Sequence, residues 1–142
     1  MENNICEHLR PENLEPLRSS DSLKIIFNLQ EALQEKLGMM ALFRNSTMKR
    51  KCDFLKDNIV MIMAEFTEML ERLPFKHWKQ YPRKFVTGWA SEEQRVETLF
   101  EYIDALHFFI NIGLILGFTP EEVYNYYIAK NKENHKRQDR GY

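Results

Sequence analysis

Long stretches free of helix breakers constrain this chain more than any other feature. Its five glycines and five prolines fall between segments whose apolar residues recur at helical spacing, which predicts an all-α fold. The punctuation places four main helices. Asp21 caps a first helix over Ser22–Leu37, with Gly38 as its stop. Ser46 or Thr47 opens a second that reaches Leu73, where Pro74 ends it. Ser91-Glu92-Glu93-Gln94 is a capping box for a third, running to about Gly117. Thr119-Pro120-Glu121-Glu122 starts a fourth that runs to about Arg137. Met1–Ser20, with Pro11 and Pro16 and no clear period, reads as an irregular N-terminal arm, and residues 21–142 as one domain.

Two helices carry the apolar weight. Ile25, Ile26, Leu29 and Leu33 share a face of the first. In the second, Ile59–Ala64 is apolar all round, which predicts a buried central helix. The connector 74–90 is basic and aromatic, with Lys76, His77, Trp78, Lys79, Tyr81, Arg83, Lys84 and Trp89. A formal net charge of −1 gives no overall basic excess with which to hold a nucleic-acid polymer. Cys6 and Cys52 belong to no CxxC or Cys/His cluster, which argues against structural zinc and a disulfide scaffold. Met1–Arg10 is polar, unlike a secretory leader. The apolar stretch Leu99–Leu116 is broken by Glu101, Asp104, His107 and Asn111, too costly for a simple membrane span. The expected compartment is the cytoplasm.

Acidic residues interrupt the most apolar segments. Glu65 and Glu68 follow Ile59–Ala64 directly, and Glu101 and Asp104 lie within the third helix. At a spacing of three, each pair shares a helix face, with Cβ atoms about 5–6 Å apart. Either pair alone is common on a solvated face. Two pairs inside apolar helices point to a site, because buried carboxylates need a partner or a cation. Antiparallel packing would let all four converge, and their repulsion would call for cations. Hard oxygen donors favour Mg²⁺ or Mn²⁺. Glu71 extends the first series, and Glu97 is an alternative partner for Glu101. A di-iron bundle needs Glu-x-x-His on two helices; no such motif occurs here.

The segments Glu65-Phe66-Thr67-Glu68 and Glu101-Tyr102-Ile103-Asp104 resemble the ExxE…ExxD signature of the MazG-like all-α nucleotide pyrophosphohydrolases. Three further segments are similar to the dimeric dUTPase branch: Phe75-Lys76-His77-Trp78-Lys79, Asp104-Ala105-Leu106-His107-Phe108-Phe109, and the tail from Lys130 to Tyr142, which matches a KNxxNxxRQxxGY pattern. The resemblance covers about Ser22–Tyr142. It implies a homodimeric bundle that hydrolyses dUTP to dUMP and pyrophosphate, with use of dUDP left open. It also implies Mg²⁺ (or Mn²⁺ as substitute) held by Glu65, Glu68, Glu101 and Asp104. Glu68 or Glu65 would act as general base. By position, Trp78, His107 and Phe108 would lie near the nucleotide, with Gln30 reading the base and Phe108 stacking on it, and Lys130, Asn134, Arg137 and Tyr142 near the phosphates. Leu33 departs from the asparagine that the family often has three residues after the glutamine.

Each of these residues also has a plainer role. Phe108 suits a core position, and Trp78 could anchor its loop. The basic tail suits a helix C-terminus, although Asn134 and Gly141-Tyr142 are not explained that way. Two other functions fit the pattern: a related pyrophosphohydrolase with another deoxynucleotide, or a catalytically idle helical module that binds a regulatory protein.

Overall fold

The computed structural model describes residues 21–141, which are entirely helix and connection; the N-terminal arm and Tyr142 lie outside the described residues. Six helices follow in order: α1 (Ser22–Lys36), α2 (Met40–Asn45), α3 (Met48–Glu71), α4 (Arg83–Thr87), α5 (Glu92–Leu116) and α6 (Pro120–Asp139). The all-α expectation holds. The four long helices stand where the sequence places them, and α2 and α4 are short additions within the connections.

Side chains close the exposed helix starts, supplying acceptors for backbone N–H groups that have no partner inside the helix. Asp21 accepts from the Lys24 N–H at 3.1 Å and Thr47 from Arg50 at 3.3 Å. At α6 the capping box is complete: Thr119 Oγ1 accepts from the Glu122 N–H, and Glu122 accepts from the Thr119 N–H. At α5 only half of the expected box forms. Ser91 accepts from the Gln94 N–H at 3.0 Å, but Gln94 does not return to Ser91. Its Oε1 accepts from Ala90, and its Nε2 donates to the Arg72 carbonyl at 2.7 Å. That carbonyl is one of the orphan acceptors at the end of α3, so Gln94 joins two helix ends. Gly117, at φ +76°, closes α5. The Phe118 N–H reaches Gly113 O and the Gly117 N–H reaches Leu114 O, the paired bonds of a Schellman turn.

The principal packing is α3 against α5, with α1 and α2 also on α5 and α6 on α1. Cross-contacts fix the direction. Arg72, past the end of α3, meets Glu97 and Glu101 near the start of α5, whereas Asn58 meets Asn111 towards the other end. The pair is therefore antiparallel. Met40, Phe43 and Ile115 are buried together, with Met39, Phe54, Leu55 and Leu114 packed around them. Phe27 of α1 lies so close to Gly113 that a Cβ there would stand 3.3 Å from its Cε1.

A chain of buried amides runs across this core. Gln30 Nε2 donates to Asn111 Oδ1 at 2.7 Å. Asn111 Nδ2 donates to Asn58 Oδ1 at 3.1 Å, and Asn58 Nδ2 donates to the Phe54 carbonyl at 2.8 Å. Three helices are thus tied at one level, in the apolar heart of the bundle.

The expectation of a buried central helix over Ile59–Ala64 is corrected. No residue of α3 is fully buried, and Val60 and Met63 are 62% and 64% exposed. Helix α3 has α5 as its main neighbour, and the cover that α2 adds lies at Phe54 and Leu55, before Ile59–Ala64.

Replacing Asn111 with leucine keeps the volume but strands Gln30 Nε2 and Asn58 Oδ1. Two polar groups left unpaired, one buried and one half-buried, at ~1–3 kcal/mol each predict a loss of ~2–6 kcal/mol, to be read from urea unfolding.

Candidate metal centre

Antiparallel packing brings acids from both helices together. Glu65 on α3 and Glu101 and Asp104 on α5 each offer a carboxylate oxygen, all within 4.8 Å of one another. Glu101 is buried, Glu65 half-buried and Asp104 exposed. Glu68 is exposed one helical turn beyond Glu65 and lies outside this trio. It still contributes to the field at Glu65. The Glu65 carboxyl is held above its ordinary value, chiefly by burial, then by the charges of Asp104, Glu68 and Glu101 and a hydrogen bond with Glu101. Three hard oxygen donors, crowded and of one charge, are the donor set that suits a divalent cation such as Mg²⁺ or Mn²⁺.

One cation of the chain already touches the cluster. Arg72 pairs with Glu101 and, through its third nitrogen, with Glu97. Glu97 thus stands in this network as a partner of Arg72 rather than as a member of the trio.

A cleft of about 220 Å³ opens between α1 and α5, lined by Ile26, Leu29, Gln30, Leu33, Ile103 and His107 among others. Gln30 is only 5% exposed, and its Oε1 accepts from no described residue. His107 connects the cleft to the acids, with Nδ1 3.7 Å from Asp104 Oδ1.

The remaining sequence-derived positions are dispersed. Phe108 is half-buried and does not line the cleft. Trp78 is 72% exposed on the connector, its ring edge-on to His77. Lys130, Asn134 and Arg137 stand exposed on α6, where Asn134 and Arg137 border a separate shallow pocket with Asn131, His135 and Gln138. Arg137 faces Glu133 at 3.6 Å. Helix α6 packs chiefly on α1, whereas the acids lie on α3 and α5. Tyr142 is outside the described residues.

Arg72 and Asn58 had not been singled out from sequence, and Gln94 only as the closing residue of a capping box. Asn111 stood out there only as a polar break in an apolar stretch, and that break was the one available signal of the amide chain. Nothing local marks Arg72, whose partners lie 25 and 29 residues away.

An antiparallel helix pair that gathers carboxylates beside an amide-floored cleft defines an all-α protein with an acid cluster that could hold a cation. A family profile described as dUTPase matches residues 22–116 and 109–142. The chain belongs to this all-α dUTPase family, and its relatives mark it as a nucleotide pyrophosphatase. It is similar to the dCTP pyrophosphatase of Enterobacteria phage T4, 27% identical over 86% of this chain and 83% of that protein. It also resembles the dCTP pyrophosphatase of Enterobacteria phage LZ5, 50% identical over 37% of this chain and 30% of that protein. A DNA replication protein of phage T4 is 24% identical over 79% of this chain and 34% of its own length. No solved structure matches.

The raised Glu65 carboxyl sets a pH dependence. In the fold it keeps its proton at pH values where the unfolded chain, at the ordinary 4.5, has lost it. The native state then binds more protons, so stability falls as pH rises from about that value through the raised one. With a chelator present, Glu65→Gln is expected to melt higher than the parent at neutral pH. The two should converge towards pH 4. A constant difference across pH would contradict the assignment.

Proposed function

We propose that this protein is a dUTP diphosphatase, hydrolysing dUTP to dUMP and pyrophosphate with Mg²⁺ held by Glu65, Glu68, Glu101 and Asp104. The observation that carries this reading is the convergence of Glu65, Glu101 and Asp104 within 4.8 Å in a chain of the dUTPase family. When bound, Mg²⁺ would supply positive charge against the triphosphate. The chain's own groups do the rest. Glu68 or Glu65 takes the proton of the attacking water; the elevated carboxyl of Glu65 brings it towards the range useful for a base. The cleft between α1 and α5 receives the base, with Gln30 at its floor and His107 at its acid-facing end. By the family resemblance, Phe108 stacks on the base and the Trp78 indole N–H donates to a phosphate or carbonyl oxygen. Lys130, Asn134, Arg137 and Tyr142 bind phosphate, where a forked guanidinium, a point charge and neutral donors suit triphosphate oxygens.

A second reading has one specific support: two of the three phage relatives named above are dCTP pyrophosphatases. A primary amide such as Gln30 carries both donor and acceptor, so either pyrimidine can pair with it. Pyrophosphate release from dUTP, dCTP, dTTP, dATP, dGTP and UTP, with Mg²⁺ and with chelator, separates the readings. Release is expected from dUTP, lost on chelation, and reduced ~100-fold or more in Glu68→Gln, the lower end of general-base effects. Faster release from dCTP selects the second reading. Silence towards every nucleotide leaves a helical interaction module for a regulatory protein.

The working form is a cytoplasmic homodimer. Its support is the uncovered apolar side of α3, where Ile59, Val60, Met63, Phe66 and Leu70 are all exposed in the single chain. Rows of apolar side chains of this extent are uncommon on monomers. Sedimentation equilibrium is expected to give twice the chain mass of 17.1 kDa. Phe66→Glu should yield the single-chain mass, and a monomeric parent at micromolar concentration would end the dimer reading.

A further inference from the structure

Arg72 closes the end of α3, one helical turn beyond Glu68. Its guanidinium turns towards α5. Nε donates to Glu101 Oε1 at 2.7 Å and Nη2 forms an ion pair with the same oxygen at 2.6 Å, while Nη1 donates to Glu97 Oε2 at 2.8 Å. Its own carbonyl is held by Gln94. Glu101 is the buried member of the acid trio, 6% exposed. A buried carboxylate needs a counter-charge or donors, and Glu65 and Asp104 carry the wrong sign for that role. Among the described residues Arg72 is the cation paired with Glu101. Both of these contacts fall on Oε1, so the carboxylate is not forked, and Oε2 takes no bond from Arg72.

We propose that Arg72 is the resident counter-ion of the acid cluster: a positioning residue that holds Glu101 at ligand spacing from Glu65 and Asp104 before any divalent cation arrives, and whose charge role the cation then takes over. The inference rests on the cation reading of this cluster given above. Two opposed effects follow from the geometry. Arg72 orders the Glu101 side chain, which favours cation binding. Its positive charge beside the same carboxylate opposes binding. The backbones of α3 and α5 are already set by packing and by the amide chain, so ordering concerns the rotamers of one side chain, about a several-fold effect. A neighbouring full charge shifts protonation equilibria by about ten- to a thousandfold. Charge therefore wins, and Arg72 exchanges some cation affinity for a cluster that stays assembled when empty.

The test is a pair of variants, Arg72→Met and Arg72→Lys, read by thermal melting in chelator and in saturating Mg²⁺, and by Mn²⁺ titration followed by electron paramagnetic resonance. The methionine variant should melt below the parent in chelator, and Mg²⁺ should close at least half of that gap. Its Mn²⁺ affinity should rise on the order of tenfold. The lysine variant, which keeps the charge but not the fork, should stay near the parent in Mn²⁺ affinity. If the methionine variant does not fold, the lysine variant carries the test, and a large change in its Mn²⁺ affinity overturns the proposal. An equal melting gap with and without Mg²⁺, or unchanged or weaker Mn²⁺ binding in the methionine variant, also overturns it: Arg72 would then be an ordinary structural pair. A parent protein that responds to neither cation removes the cation reading of the cluster, and the role of Arg72 with it. A responsive parent with a constant gap removes the role of Arg72 alone.

Discussion

Like-charge crowding between α3 and α5 is the constraint around which the rest of the molecule is arranged. Three carboxylates within 4.8 Å repel one another, and that repulsion adds to burial in raising the Glu65 carboxyl. The helices stay together because their contact is tied on either side of the cluster. Towards one end, Arg72 and Gln94 bind the terminus of α3 to the first turns of α5. Towards the other, Asn58 and Asn111 join the same helices, next to the buried group of Met40, Phe43 and Ile115. Apolar burial supplies the cohesion and the polar ties supply the register. The acids sit between them, where neither helix can slide to relieve the repulsion.

Much of this was legible in the sequence. Asp21, Thr47, Ser91 and Thr119 mark the helix starts because a cap is a local device, complete within four residues. The acid pairs were legible because spacing on a helix is also local. That the two pairs meet required antiparallel packing, which the sequence only allowed. Glu68 was expected in the same cluster, yet the trio forms without it. The pairing of the polar ties was not legible, although Asn111 stood out as a polar break: Gln30 and Asn111 are 81 residues apart, and Asn58 and Asn111 are 53 apart. Gln94 shows how a local rule can yield to tertiary context. The box it was expected to close at Ser91 gives way to a carbonyl on another helix. The buried-helix expectation for Ile59–Ala64 failed because hydrophobicity reports the need for cover, not whether the same chain provides it.

The chain divides its tasks unevenly among helices. Helix α5 holds seven buried residues as well as two of the three trio acids, so it is both the spine of the core and the chemical face. Its length and apolar composition would suit a membrane span, yet its ion pair with Arg72 and its amide tie to α1 and α3 give those polar groups partners inside the bundle. Helix α6 is the opposite case, with no buried residue and α1 as its main neighbour.

The amide chain has a direction. It begins at the Phe54 carbonyl, a group that can only accept. Asn58 must therefore turn its nitrogen to Phe54 and its oxygen to Asn111, and Asn111 must turn its oxygen to Gln30. Gln30 is left with Oε1 as its unengaged acceptor on the wall of the cleft. The polarity of that wall is dictated by a main-chain atom two helices away. Because every residue type has the same main-chain carbonyl, no substitution at position 54 can reverse it. The side chains around the cleft are open to evolutionary drift, whereas the orientation of its acceptor is inherited from the backbone.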